Sequence, residues 1–191
     1  MRPEQPFKWS SGWNSPIYCD NRVTLSFPHI RSYIKQQLAD MIKENFPEAE
    51  AIAGVATAGI AQGALVADLL EMPFLYVRPQ PKSHGMANQI EGKLISGQKV
   101  VMVEDLISTG GSSLKAAEAV RSAGGVVVGM AAIFTYGFSL AEENFKEAGI
   151  PLHCLSDYQA LTEAAMQNGY IPESAMPTLA EWRQSPETWK V

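Results

Sequence analysis

Cysteine is scarce in this chain, with two residues in 191, so a disulfide-stapled fold is excluded as its organising principle. Cys19 and Cys154 lie far apart without metal-like spacing and read as free thiols of a cytoplasmic protein. Long apolar runs are missing too. The longest, Gly124 to Phe134, falls far short of the roughly 20 residues that span a bilayer, and Met1 to Pro6 has no apolar segment of signal-peptide type. Excess positive charge is also absent. A formal charge of −5 with no long Lys/Arg run argues against broad nucleic-acid binding, while leaving room for a small anionic ligand held by a local basic loop. No repeat or biased segment interrupts a composition that is 46% hydrophobic and 18% charged, so one globular domain over residues 1–191 is expected.

The richest stretch runs from Val100 to Ser113. The apolar residues Val100, Val101, Met102 and Val103 lead into the acid pair Glu104–Asp105. Then come Leu106, Ile107, a small polar turn (Ser108, Thr109, Gly110, Gly111, Ser112) and a helix-like segment: a buried strand ending in a site. Hydroxyls and two glycines let the backbone curl so that several N–H groups face one oxyanion, and a helix start behind them adds partial positive charge. Two carboxyls just before such a cradle would repel an anion unless they face sugar hydroxyls or a metal. A phosphorylated sugar meets all of these demands.

The remaining segments repeat one plan. Phe7 to Asp20 reads as two short strands around a turn, its aromatics able either to hold a flat polar ligand or simply to cover the core. A helix is expected from about Ile30 to Asn45, with Ile30, Ile34, Leu38, Met41 and Ile42 on its apolar face. Ala51 to Ala56 is a second apolar strand, followed by the small turn Thr57–Ala58–Gly59, a helix from about Ile60 to Leu70 and a strand from Pro73 to Val77. Neither a dinucleotide fingerprint nor a Walker loop is present. Arg78 to Lys93 is the most polar long loop, and Arg78, Lys82 and His84 within it suit a lid that closes over an anion. A helix from Ser112 to Ala123, a strand from Val126 to Phe134, a helix near Leu140 to Ala148 and a strand from Leu152 to Leu155 complete an α/β pattern. A mostly parallel sheet covered by helices follows, with ligands beyond the carboxyl ends of its strands. His153 alternates with apolar neighbours and reads as a core or edge histidine. The segment after Tyr158 reads as helix and tail, with Trp182 and Trp189 packing back.

Val100 to Ser113 resembles the phosphoribosyl pyrophosphate signature of the type I phosphoribosyltransferases. Within that family the chain is most similar to the members that act on orotate. That likeness rests on Phe7 to Asp20 with its Ser-Gly-x-x-Ser-Pro-x-Tyr core, on Gly54 to Ile60, and on Tyr76–Val77–Arg78 continuing through Lys82–Ser83–His84–Gly85 to Gly92. The resemblance implies the family's fold, a central mostly parallel sheet flanked by helices, with a small hood drawn largely from about residues 1–28 and a contribution of the C-terminal tail left open. It implies transfer of phosphoribosyl from 5-phosphoribosyl 1-diphosphate to orotate, a step of pyrimidine (UMP) biosynthesis. Magnesium would be held mainly by substrate and water, with no ligand directly from the protein.

By the same resemblance Glu104 and Asp105 hold the ribose hydroxyls, Ser108 to Ser112 hold the 5-phosphate, and Leu106 and Ile107 belong to the same phosphoribosyl-diphosphate-binding stretch. Ser108 also lies near orotate, Ala56 to Gly59 line the pyrophosphate side, and Arg78, Lys82 and His84 cover the leaving group from a lid shared between the subunits of a homodimer. Many relatives carry another lysine soon after the lid arginine, where this chain reads Pro79–Gln80–Pro81, so Lys82 is expected to neutralise more charge alone. Two alternatives stay open: a phosphoribosyltransferase for another base, and a noncatalytic phosphoribosyl-diphosphate-binding regulatory protein.

Overall fold

The computed structural model describes residues 6–9, 12–80 and 89–189. Two compact units emerge, one from Met1–Asp20 with Ser156–Val191, the other from Asn21–Leu155.

The larger unit carries a six-stranded sheet in the order β5-β4-β3-β6-β7-β8. Its strands are β3 (Ala51–Val55), β4 (Phe74–Val77), β5 (Ile90–Glu91), β6 (Lys99–Ile107), β7 (Val126–Thr135) and β8 (Leu152–Asp157), the last reaching past Leu155 into the other unit. β3 pairs in parallel with β4 and β6, and β6 in parallel with β7; only the short β5 returns antiparallel along β4. The helices are α1 (Pro28–Asn45), α2 (Ala58–Leu70), α3 (Gly111–Ser122) and α4 (Ser139–Glu147).

Alternation along the strands sends side chains into two layers. Ala51, Ala53, Val100 and Met102 pack with Ala116, Ala117 and Val120 of α3 and Phe145 of α4. Ile52, Val101 and Val103 pack instead with Ile34, Leu38 and Ile42 of α1 and Val66 of α2. Burial on both faces explains why the central strands read as continuous apolar runs. α1 starts two residues earlier than expected because Pro28, lacking an N–H, suits the first turn of a helix. Ile30, expected inside, is 36% exposed, and Ala39 takes a place on the buried face.

The smaller unit joins both ends of the chain. β1 (Phe7–Lys8) and β2 (Asn14–Ser15) form the expected hairpin. α5 (Tyr158–Gln167) and α6 (Met176–Gln184) come from the tail. Trp182 is fully buried, donates its indole N–H to the Asn14 carbonyl at 2.9 Å and meets the Trp9 ring edge-on at 5.6 Å. Among the described residues no helix is long and apolar enough to cross a membrane.

A helix meets the sheet backbone closely at Gly59 in the first turn of α2, where a Cβ would lie 2.3 Å from the Val103 carbonyl oxygen. Backbone cannot yield there. Gly59→Ala is expected to destabilise the chain by roughly 1–3 kcal/mol, the scale of overpacking a filled site. A urea melt with an unchanged midpoint would count against this packing.

Candidate functional site

Going outward from the centre of the sheet, β3 is followed by β4 on one side, whereas β6, β7 and β8 extend on the other. The direction of winding therefore changes between β3 and β6, which is where open α/β sheets form a crevice at the carboxyl ends of their strands. Ala56–Thr57, joined by a cis peptide bond, leaves the end of β3; Arg78 leaves the end of β4; residues 104–112 lie at the end of β6. The expected convergence of these three segments on one sheet edge is therefore present.

One detail differs from the sequence expectation. β6 does not stop before the acid pair but runs nine residues to Ile107. Its register with β3 extends from Ala51–Val100 to Gly54–Val103, while its pairing with β7 continues through Glu104–Ala132, Leu106–Phe134 and Ile107–Thr135. Past Val103 the central strand overhangs its neighbour, and the backbone groups turned toward β3 need other partners. At Asp105 side chains provide them: the N–H donates to Glu104 Oε1 at 2.9 Å, and the carbonyl accepts from Asn21 Nδ2 at 2.7 Å.

Glu104 is 6% exposed, on the α3 side of the sheet, and its Oε2 accepts from Ser113 Oγ at 3.1 Å. Burial, reinforced by the neighbouring Asp105, pushes its pKa up from 4.5 to about 9, although the Asp105 N–H and the Ser113 hydroxyl pull the other way. A neutral Glu104 next to a half-buried Asp105 leaves the carboxyl pair less repulsive toward an incoming anion than its sequence suggests.

The expected cradle is shorter as a loop and longer as a helix. Ser108 and Thr109 are half-buried; Gly110, at φ +80°, is the N-cap of α3, and Gly111 and Ser112 belong to the first helical turn. The positive φ lets the chain turn sharply from strand to helix, a conformation that suits glycine. No side chain caps this helix start, and the N–H groups of a helix's first turn carry partial positive charge. From behind, α4 supports the turn: Asn144 Nδ2 donates to the Thr109 carbonyl at 2.9 Å, and a Cβ on Gly110 would stand 2.7 Å from the Phe145 ring.

Arg78 lies in the register of the β4–β5 ribbon, its N–H donating to the Gln89 carbonyl at 2.8 Å and its Nη1 lying 3.7 Å from Glu91 Oε1. Lys82 and His84 lie outside the described residues. His153 is half-buried, edge-on to Phe46 at 5.4 Å. Asn21, Glu91, Ser113 and Asn144 all bear on the site yet were not singled out from sequence for it. Glu91 and Ser113 stood within quoted motifs without a role of their own, and Asn21 and Asn144 touch the acid pair or the turn through contacts that the spacing does not reveal.

The fold and the site define a mostly parallel α/β protein with an acid pair and a glycine turn at the switch point of its sheet. The phosphoribosyl transferase domain family matches residues 23–151. The orotate phosphoribosyltransferase of Cytophaga hutchinsonii is 60% identical over 190 residues, covering 100% of this chain and 91% of that protein. That of Porphyromonas gingivalis is 58% identical over 191 residues, again covering 100% of this chain and 91% of the relative. The crystal structure of orotate phosphoribosyltransferase from Aeropyrum pernix superposes with a TM-score of 0.76 at 30% identity, covering 87% of this chain and 92% of that one. The chain belongs to the phosphoribosyltransferase family, among the orotate phosphoribosyltransferases.

The buried acid gives a test with a defined sign. Because its folded pKa is raised, Glu104 costs no stability below pH 4.5. It opposes folding increasingly from there to about pH 9, by at most about 1.4 kcal/mol per pH unit. In the ligand-free protein, Glu104→Gln should gain stability over the natural chain between pH 5 and 8, with the gap widening as pH rises. A gap independent of pH in paired urea melts would contradict a neutral Glu104.

Proposed function

We propose that this chain transfers the phosphoribosyl group of 5-phosphoribosyl 1-diphosphate to orotate, giving orotidine 5-phosphate and diphosphate. The observation that carries the reading is the continuous run from the acid pair of β6 through the glycine turn into α3, at the switch point of the sheet. Relatives named orotate phosphoribosyltransferase that align over nearly their whole length support the choice of base.

In this reading Leu106 and Ile107 lead the strand into the 5-phosphate grip formed by Ser108, Thr109, Gly110, Gly111 and Ser112. Glu104 and Asp105 serve the ribose 2- and 3-hydroxyls, a neutral Glu104 being able to donate as well as accept. Ser108 approaches orotate, and Ala56 to Gly59 line the diphosphate side. Orotate N1 attacks the anomeric carbon as the bond to diphosphate breaks, so charge builds on the departing oxygens and positive character on the sugar. Arg78, Lys82 and His84 balance the departing charge, and closure over them excludes the water that would hydrolyse the sugar.

Magnesium fits this donor set as a substrate-held ion. Glu104, one of the site's two carboxyls, is buried and hydrogen-bonded to Ser113, and magnesium is commonly bound through substrate phosphates and water. When bound, it would neutralise part of the diphosphate charge. The smaller unit is read as the hood of a single phosphoribosyltransferase domain, and the enzyme as a cytoplasmic homodimer whose subunits share the lid.

Mixing the protein with magnesium, orotate and 5-phosphoribosyl 1-diphosphate should deplete orotate absorbance. If orotate is untouched while adenine, guanine or uracil reacts, the assignment of the base is wrong; if no base reacts although the sugar diphosphate binds, a regulatory role replaces catalysis. Lys82→Ala is expected to lower turnover by more than ~100-fold, the scale of losing a transition-state charge partner. Near-natural turnover in the purified variant would remove Lys82 from the leaving-group role.

A further inference from the structure

We infer that Asn144 of α4 is a positioning residue for the 5-phosphate turn, fixing which way the Thr109–Gly110 peptide faces. The inference rests on the reading of that turn as the phosphate grip. A glycine-rich turn binds an anion only if its N–H groups face inward. A peptide that flips presents its carbonyl instead and converts a donor into a repulsive oxygen. Gly110 and Gly111 remove the side chains that normally resist such a flip.

Three contacts oppose it here. Asn144 Nδ2 donates to the Thr109 carbonyl at 2.9 Å. The peptide is planar, so with this carbonyl turned to α4 the Gly110 N–H of the same unit points away from that helix. The Gly110 carbonyl is held in turn, accepting from the Leu114 N–H at 2.9 Å as α3 begins. Phe145, 3% exposed, packs its ring so close behind Gly110 that even a methyl group there would meet it at 2.7 Å.

α4 is a firm support for these groups. Phe145 and Ala141 belong to the core layer shared with α3, and Arg121 of α3 donates to the Ala148 carbonyl at the C-terminal end of α4 at 3.0 Å. Asn144 itself is half-buried, and its Nδ2 is engaged by the Thr109 carbonyl. Its amide therefore acts through the loop backbone rather than on the substrate.

The test separates the substrates by whether they carry the 5-phosphate. Asn144→Leu keeps the number and branching of side-chain heavy atoms and removes the donor; Asn144→Ala serves if leucine prevents folding. Steady-state constants would be measured in both directions. KM should rise three- to tenfold, the scale of one hydrogen bond, for 5-phosphoribosyl 1-diphosphate and for orotidine 5-phosphate. KM for orotate and for diphosphate should stay within twofold of the natural chain, with kcat little changed. The melting temperature of the ligand-free variant should also hold, while its upward shift with ribose 5-phosphate shrinks.

If all four KM values move together, or none moves, the inference is overturned. The same holds if the ligand-free variant melts much lower while its ribose 5-phosphate shift is intact. Should the natural chain fail to turn over orotate yet lose its ribose 5-phosphate shift on substitution, the role of Asn144 stands and only the choice of base falls.

Discussion

Beyond Val103 the central strand of the sheet continues without β3 beside it, and the peptide groups of Asp105 have no ladder partner on that side. A strand interior in which one N–H and one carbonyl lack partners costs a few kcal/mol if nothing replaces the ladder. Here Glu104 and Asn21 replace it. The substitution dictates much else. Glu104 must fold back along its own strand, which buries it against α3 and brings Ser113 within reach of its second oxygen. Crowding of Gly59 onto Val103 keeps α2 close to the point where β3 leaves off.

The electrostatic consequence runs against first intuition. Two adjacent acids ahead of an anion cradle look like a conflict: unit charges 4 Å apart at an effective dielectric near 20 repel by about 4 kcal/mol. The fold lessens the conflict by burying one of them, so that the carboxyl most removed from water holds its proton through neutral pH. What reads in sequence as a double negative charge becomes, in the ligand-free chain, a neutral acid beside a half-buried one, a combination better suited to hydroxyl groups than to a bare metal ion.

The course of the strands and helices was legible because their signal is local and periodic. Ala51 to Val55, Val126 to Thr135 and the amphipathic α1 follow from apolar runs and helical spacing, with ends shifted by only a few residues. The acid pair and the glycine turn were legible as well, since their chemistry is written in consecutive residues. Three features were not. The strand β5 is two residues long, too short for any period, and exists only because β4 offers it an edge. The extension of β6 through Glu104 and Asp105 contradicts the poor strand preference of carboxylates and depends on β7 continuing alongside. The supporting residues Asn21, Ser113 and Asn144 are small polar types, ordinary at helix surfaces and turns, and their partners lie 84, 9 and 35 positions away in sequence. Nothing in local pattern distinguishes them from solvated neighbours.

The part of the site built on β6 and α3 has a limit set by its own rigidity. A turn whose peptides are held from behind grips a 5-phosphate equally before and during the reaction, and such uniform binding raises affinity without lowering the barrier from the bound state. Acceleration must come from groups that meet charge only as it develops on the departing diphosphate. In the proposed reading Arg78 has this task. In the ligand-free chain its guanidinium lies 3.7 Å from Glu91, with the two side chains 35% and 27% exposed. An ion pair so open to water is worth no more than about 1 kcal/mol, so a polyanion can take the arginine from Glu91 at little cost. Until then the glutamate keeps the cation near the edge of β4. In the proposed reading the division of labour follows from mechanics: the half of the site held from behind takes the sugar phosphate, and the weakly tethered cation follows the leaving group.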